Sequence, residues 1–172
     1  LVGDNDGSIL NGRNGGNVTG TTYVGGIVGT NREDSTLTDI INDTSMLIKG
    51  STYVGGIAGQ NAGRIVDTEV SRTLSDGVVE GVEYVGGIAG KNTGYIENPH
   101  NNISLRINKD ALKDGKTAQY FGGVAGINEK EGTIGNATNL ADVTAEGATY
   151  VGGIVGYNKG TLLNLSGNRG NV

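Results

Sequence analysis

The sequence predicts an all-β protein that folds as a parallel β-solenoid, with about 30 residues and three short strands in each of five to six coils. Two observations predict this fold. A tyrosine-led nonamer recurs five times along the chain, and each unit carries three short aliphatic stretches separated by glycine and asparagine. A third observation is the glycine content, 33 of 172 residues, which disfavours helices throughout.

The nonamer is the first element of each unit. It reads YVGGIVGTN at residues 23–31 and recurs as YVGGIAGQN, YVGGIAGKN, YFGGVAGIN and YVGGIVGYN. Successive copies start 30, 31, 36 and 30 residues apart. Repeats of this length are typical of solenoids, in which each unit buries its apolar side chains only by stacking on its neighbours.

Two further aliphatic stretches complete each unit. The second element, glycine-x-aliphatic-x-Asn/Asp, follows the nonamer at residues 63–67, 94–98, 132–136 and 160–164, and a looser third element precedes the tyrosine. The stretches are short, are rich in β-branched residues and show no sustained helical stripe, so they are predicted to be strands. Parallel strands of successive coils then stack about 4.8 Å apart.

Stacking places equivalent apolar residues above one another as structural ladders. One such ladder contains Ile27, Ile57, Ile88, Val124 and Ile154. Strict alternation would send Val24 and Ile27 to opposite faces of a strand, so we expect the Gly-Gly pair to bend the chain and turn both inward. The alternative is a strand covered on both faces, which the uncharged segment YVGGIVG also permits.

Two polar ladders are also expected. Asparagine ends every nonamer, at Asn31, Asn61, Asn92, Asn128 and Asn158. Tyrosine begins every nonamer, at Tyr23, Tyr53, Tyr84, Tyr120 and Tyr150. The asparagines are interpreted as a structural ladder whose amides satisfy backbone groups at turns, with a row of polar ligands as the alternative. The tyrosines are interpreted as a stack that sets the register, with a sugar-stacking row as the alternative.

Residues 1–172 are predicted to form a single solenoid domain. The first five residues, LVGDN, align with the second part of a nonamer, and residues 171–172 align with residues 17–18. We therefore expect the chain to be a fragment of a longer array that starts and ends within a repeat.

The nonamer and the G-x-[IL]-x-[ND] element that follows it resemble the GLUG repeat of bacterial surface proteins, and the resemblance covers essentially the whole chain. That family includes large cell-wall-attached proteins and the non-catalytic regions of streptococcal immunoglobulin A peptidases. The resemblance implies a β-solenoid on an extracellular, secreted or cell-surface-attached bacterial protein. It implies no reaction, because the chain has no H-E-x-x-H motif.

Composition excludes several classes of function. The net charge of −5 argues against nucleic acid, and no apolar run is long enough to insert directly into a membrane. With one histidine and no cysteine, no zinc site is expected, and no cofactor is implied. The sequence DNDG at residues 4–7 resembles the start of a calcium loop but lacks the closing glutamate, so no metal site is predicted.

The expected function is therefore a non-catalytic extracellular module that acts as an adhesive or spacer segment. Its partners would be a host glycoprotein, a glycan or a cell-wall component, together with flanking domains of the same parent protein. The alternative is a carbohydrate-active β-helix enzyme, a polysaccharide lyase or a glycoside hydrolase, which needs a pair of carboxylates. Adjacent coils offer such pairs in Glu80 with Asp110 or Asp114, and in Glu69 with Glu97.

One repeat is longer than the others, with 36 residues between Tyr84 and Tyr120. Insertions in solenoids project as loops on one side, which is often the binding side. The surplus carries the only histidine of the chain and a run of mixed charge. The ligand-binding residues predicted from it are His100, Lys109, Asp110, Lys113 and Asp114, with a neutral surface loop as the alternative.

Overall fold

The computed structural model describes residues 1–43, 45–70, 77–113, 117–164 and 167–172. These residues form short β-strands and no helix. Every described strand pairing is parallel, so the chain winds continuously and adds one coil with each repeat. The predicted fold class, an all-β parallel solenoid of about 30 residues per coil, is confirmed.

The strands follow one another in five full coils and a partial sixth. Coil one contains β1 (Val2–Asn5), β2 (Ser8–Leu10), β3 (Arg13–Asn14), β4 (Val18–Thr19) and β5 (Thr22–Gly25). Coil two contains β6 (Val28–Asn31), β7 (Thr36–Thr38), β8 (Ile41–Asn42), β9 (Leu47–Lys49) and β10 (Thr52–Gly55). Coil three contains β11 (Ala58–Asn61), β12 (Arg64–Val66), β13 (Glu69–Val70), β14 (Val78–Gly81) and β15 (Glu83–Gly86).

The remaining coils repeat this order. Coil four contains β16 (Ala89–Asn92), β17 (Tyr95–Glu97), β18 (His100–Asn101), β19 (Ser104–Ile107) and β20 (Gln119–Gly122). Coil five contains β21 (Ala125–Asn128), β22 (Thr133–Gly135), β23 (Thr138–Asn139), β24 (Val143–Thr144) and β25 (Thr149–Gly152). The sixth contains β26 (Val155–Asn158), β27 (Thr161–Leu163) and β28 (Gly167–Asn168).

Strands in the same position of each coil pair to form five sheets, which we call A to E in chain order, beginning with the sheets of β1, β2, β3, β4 and β5. Each full coil therefore has five strands, where the sequence predicts three. The nonamer accounts for two of them, because the chain bends at its second glycine and the following isoleucine and splits into a strand of sheet E and a strand of sheet A. The two-residue strands of sheet C have too little apolar patterning to be recognised in the sequence.

The bend at the Gly-Gly pair turns both apolar residues of the nonamer inward, as predicted. Val24 and Ile27 belong to one hydrophobic core, as do Val54 and Ile57 one coil later. The predicted apolar ladder is buried through Ile27, Ile57, Ile88 and Val124, and Ile154 in the last full turn is partly buried. Val24, Val54 and Val85 pair in register as a second apolar ladder, which Phe121 continues next to Val85, and Phe121 is fully buried.

Sheets A and E approach so closely that glycine is required where they meet. A Cβ on Gly90 of β16 would lie 2.6 Å from the carbonyl carbon of Tyr53 in β10. A Cβ on Gly55 would overlap the carbonyl oxygen of Ala58, because the chain folds back within the nonamer. The glycines of the nonamer thus supply space for backbone contact rather than flexibility.

The corners of the coil use left-handed backbone conformations. All five tyrosines of the nonamer have positive φ, between 52° and 61°. The Asn/Asp residue that ends the second element also has positive φ, at Asn11, Asp39, Asp67, Asn98, Asn136 and Asn164. Asn and Asp tolerate this conformation better than other side chains, which explains why the sequence repeats them at this corner.

Candidate binding groove

The asparagine ladder is a continuous chain of buried hydrogen bonds. The Nδ2 of each asparagine donates to the Oδ1 of the next at 2.8–2.9 Å, through Asn5, Asn31, Asn61, Asn92, Asn128 and Asn158. Most of these amides donate their second proton to a backbone carbonyl nearby in the same coil, such as that of Gly63 or Gly94. The side chains from Asn31 to Asn128 are fully buried and satisfied within the fold, which favours the structural interpretation over a row of polar ligands.

A second asparagine ladder lies in sheet C and was not predicted from the sequence. Asn101 donates to Asn139 and Asn139 donates to Asn168, both at 2.7 Å. Asn42 occupies the same column, where its Oδ1 has no hydrogen-bond partner among the described residues. The spacing from the first ladder varies from repeat to repeat and position 70 is valine, so no regular motif marks this column.

The five tyrosine rings form one face-to-face stack along the solenoid. Successive ring centres are 5.1, 4.7, 4.7 and 5.0 Å apart, and the planes lie within 14° of parallel. The faces of Tyr53, Tyr84 and Tyr120 are therefore covered by neighbouring rings. A sugar cannot stack on these faces, so the sugar-stacking alternative fails for the inner tyrosines, while their edges and hydroxyls remain at the surface.

A groove runs beside this stack, and we call it the tyrosine groove. Tyr23, the first ring of the stack, lines one side of it, and its floor belongs to the column of sheet A formed by Asp4, Thr30, Gln60, Lys91, Ile127 and Tyr157. Over the first three coils the groove is open, with a volume of about 530 Å³, and Asp6, Arg32, Glu33 and Ala62 line its far side.

The floor of the tyrosine groove changes character along the axis. It is polar from Asp4 to Lys91, and the Lys91 ammonium lies 6.0 Å from the centre of the Tyr53 ring. Beyond this point the floor is apolar, because Ile127 is buried and the Tyr157 ring leans on Tyr120 and Tyr150 at 5.8 and 5.4 Å. The polar part of the groove is therefore the part that can exchange hydrogen bonds with a ligand.

Two stacked tyrosines have a raised pKa, and Asp4 on the groove floor is paired with a cation. Burial, reinforced by the neighbouring tyrosines and acids, raises the pKa of Tyr53 and Tyr84 above the ordinary phenol value. The Arg32 guanidinium donates to both oxygens of the Asp4 carboxylate, with Nε 2.9 Å from Oδ1 and 3.0 Å from Oδ2, and Nη2 2.5 Å from Oδ2. These bonds lower the pKa of Asp4 and hold both groups charged.

The predicted ligand-binding residues of the long repeat do not form one surface loop. His100 lies on β18 in sheet C, exposed and in register with Glu69. Lys109, Asp110 and Lys113 follow β19 of sheet D and are exposed. Asp114 lies outside the described residues.

The described part of the insertion, residues 108–113, which we call the insertion loop, packs back onto the solenoid. The buried Asn108 donates its side-chain Nδ2 to the carbonyl of Gly50 at 2.7 Å. Leu112 packs against the hydrophobic core, and Asp110 forms an ion pair with Lys49 at 2.5 Å. The expected projection of the loop is therefore wrong for these residues, because polar and apolar anchors both hold them against earlier coils.

The carboxylate pair proposed for the enzyme alternative is part of an ion-pair network. Lys49 contacts both Asp110 and the buried Glu80, the latter at 3.5 Å, and Arg106 donates to Glu80 at 2.5 Å. Lys49 also lowers the pKa of Asp110, whereas a general acid needs a raised pKa. Glu97 accepts hydrogen bonds from Tyr95 and Asn136, and Glu69 stands beside His100 rather than Glu97.

The described residues contain no group of three or more His, Asp or Glu side chains placed to hold a metal ion. Within the same part of the chain no helix is long and apolar enough to cross a membrane.

Comparison of the chain with protein-family models, with curated proteins and with solved structures gives no match.

Proposed function

We propose that the chain is a non-catalytic repeat module of a bacterial surface protein of the GLUG type, which acts outside the cell as a rigid spacer and adhesive segment. The observation that carries the proposal is the continuity of its ladders. The asparagine ladder, the tyrosine stack and the apolar ladders each pass from coil to coil without a break through coils one to five.

Continuity of this kind suits a structural role. Each coil buries its apolar side chains against the coils on either side, so the stack behaves as one stiff body rather than as linked domains. The buried asparagine amides satisfy one another only in the correct register, which opposes slippage between coils. Exposed side chains recur at equivalent positions of successive coils, and together they offer an extended surface to a partner.

The carboxylates do not favour the enzyme alternative, because Glu80 and Asp110 are both engaged by cations. The proposal is tested by passing the purified chain over immobilised host glycoproteins and bacterial cell-wall glycans, and by assaying the same polymers for released reducing ends. We expect retention without release. Release of reducing ends that is lost on Glu80→Gln would overturn the non-catalytic function.

The extracellular location is tested separately in cells that make the parent protein. Antibodies raised against the chain should stain intact cells, and a protease added outside should remove the signal. Staining that appears only after permeabilisation would refute this part of the proposal.

A further inference from the structure

We propose that the tyrosine groove binds a neutral, extended β-1,4-linked glycan that lies along the solenoid axis, with one sugar beside each coil. This inference names a ligand class and a site for the adhesive role, and so rests on the function proposed above. The hydroxyls of the tyrosine stack would make the main contacts, and the polar floor of coils one to four would complete the site.

The spacing of the stacked tyrosines along the solenoid axis matches the spacing of sugars in a β-1,4-linked chain. The tyrosine rings are spaced 4.7–5.1 Å apart along the axis and are nearly parallel, so their hydroxyls recur at a similar interval. A β-1,4-linked glucan or N-acetylglucosamine polymer is a straight chain whose rise per sugar is close to this interval. An α-1,4-linked glucan instead curls, and its sugars leave the line of the groove. A straight chain therefore places successive sugars beside successive hydroxyls.

The hydroxyls of the stacked tyrosines are available for hydrogen bonds to a ligand. None of the five has a hydrogen-bond partner among the described residues, although Tyr53, Tyr84 and Tyr120 are half-buried. A tyrosine hydroxyl is protonated at neutral pH, and the raised pKa of Tyr53 and Tyr84 favours this form further, so each hydroxyl can both donate and accept. Sugar hydroxyls have the same double capacity. Because the ring faces are covered, binding would use hydrogen bonds at the ring edges rather than face stacking.

The other residues that line the groove also suit a neutral sugar chain. Thr30 and Gln60 are partly exposed on the floor and carry hydroxyl and amide groups that suit sugars. The Arg32–Asp4 pair adds a planar polar surface at the first coils. Asp6 and Glu33 add negative charge to a chain whose net charge is −5, which disfavours an anionic polysaccharide.

The experiment compares hexasaccharides of different linkage. Cellohexaose and chitohexaose are titrated into the wild-type chain by calorimetry, and maltohexaose serves as a control that has the same sugar as cellohexaose with the α linkage. The two β-linked probes also separate a glucan from an N-acetylglucosamine polymer as the ligand. We expect binding of at least one β-linked probe and about tenfold or greater preference for it over maltohexaose.

A matched set of variants locates the site. The triple variant Tyr23→Phe, Tyr53→Phe and Tyr84→Phe keeps the ring stack and removes three hydroxyls. It should retain the thermal stability of the wild type and bind the β-linked hexasaccharide at least about tenfold more weakly, the effect of losing roughly 1.4 kcal/mol. Tyr95→Phe makes the same change on sheet B, outside the groove, and should bind like the wild type.

The possible failures are distinguishable. If the triple variant is folded and binds as tightly as the wild type, the site is refuted, while the adhesive function stands. If no β-linked hexasaccharide binds, or maltohexaose binds equally well, the ligand class is refuted. The adhesive function itself is then judged by retention on host glycoproteins and cell-wall glycans, which does not depend on this groove.

Discussion

Replacing one ladder asparagine by the isosteric aspartate should make the stability of the solenoid depend on pH. Asn61 is fully buried, accepts from Asn31 and donates to Asn92 at 2.8 Å and to the carbonyl of Gly63 at 3.2 Å. In Asn61→Asp the donating nitrogen becomes an oxygen that faces two acceptors. The ladder could adapt only if the side-chain amides of the three following asparagines all flipped, so that oxygen and nitrogen exchanged places. Each flipped amide would then lose its hydrogen bond to a glycine carbonyl.

The magnitude follows from the two protonation states. An ionised carboxylate that is buried without a cation should cost about 3–5 kcal/mol of unfolding free energy at neutral pH. The protonated acid can donate to Asn92 and loses only the bond to Gly63, at a cost of about 1 kcal/mol. Burial and the facing acceptors raise the pKa of this carboxyl in the folded state. The variant should therefore be most stable below the ordinary aspartate range and lose stability as the pH rises through the raised value.

The assay is urea unfolding followed by circular dichroism at about pH 3 and about pH 7, with each variant compared with the wild type at the same pH. Asn158→Asp is the matched control, because Asn158 ends the same ladder but is exposed and donates only to Gly160. The control should show little difference between the two conditions. An equal loss for Asn61→Asp at both pH values, or a larger loss in acid, would refute the assigned direction of the ladder.

Three further predictions test the core, the contact between sheets and the insertion loop. Ile88→Ala should lower the unfolding free energy by about 2–5 kcal/mol because Ile88 is fully buried, whereas the exposed His100→Ala should change it by less than about 0.5 kcal/mol; similar losses in urea unfolding would contradict the burial of this ladder. Gly90→Ala should abolish the β-rich circular dichroism spectrum or lower the melting temperature by more than about 10 °C, since the new methyl group meets the backbone of Tyr53 and Tyr84; a variant that melts like the wild type would refute the close approach. Asp110→Asn should make the insertion loop more sensitive to subtilisin at neutral pH; in the wild type, where Lys49 lowers the pKa of Asp110, the amide protection factors of the loop should fall only as the pH falls through that lowered value, and protection that is unchanged in the variant would show that the ion pair does not hold the loop.

Much of the architecture follows from periodicity, which is a property of the sequence alone. Residues that recur at one position of a repeat must stack when the repeats form parallel coils, so the ladders of Ile88, Asn92 and Tyr84 are predictable in register as well as in kind. The inward turn of both Val24 and Ile27 is likewise predictable, because only a bend at the glycines reconciles two apolar residues three positions apart with one core.

Other features depend on contacts between residues far apart in the chain, which local sequence patterns do not predict. The division of each coil into five strands depends on where the backbone bends, and the second asparagine ladder is hidden because the spacing around Asn101 and Asn139 varies. The insertion loop carries a charged sequence that predicts a free surface loop, yet its place is set by Lys49 and Gly50, about 60 residues earlier in the chain.

Part of the candidate site is likewise predictable from the sequence, and part is not. The sequence alone shows that a tyrosine recurs in every repeat and that a polar residue lies seven positions after Tyr23, Tyr53 and Tyr84. The three-dimensional fold is needed to show that the tyrosine rings cover one another's faces, that their hydroxyls have no partner among the described residues, and that the column from Asp4 to Lys91 lies beside the stack. The physical reason is that one-dimensional spacing sets which residues stack, whereas backbone conformation at the corners, with positive φ at each tyrosine, sets where their rings point.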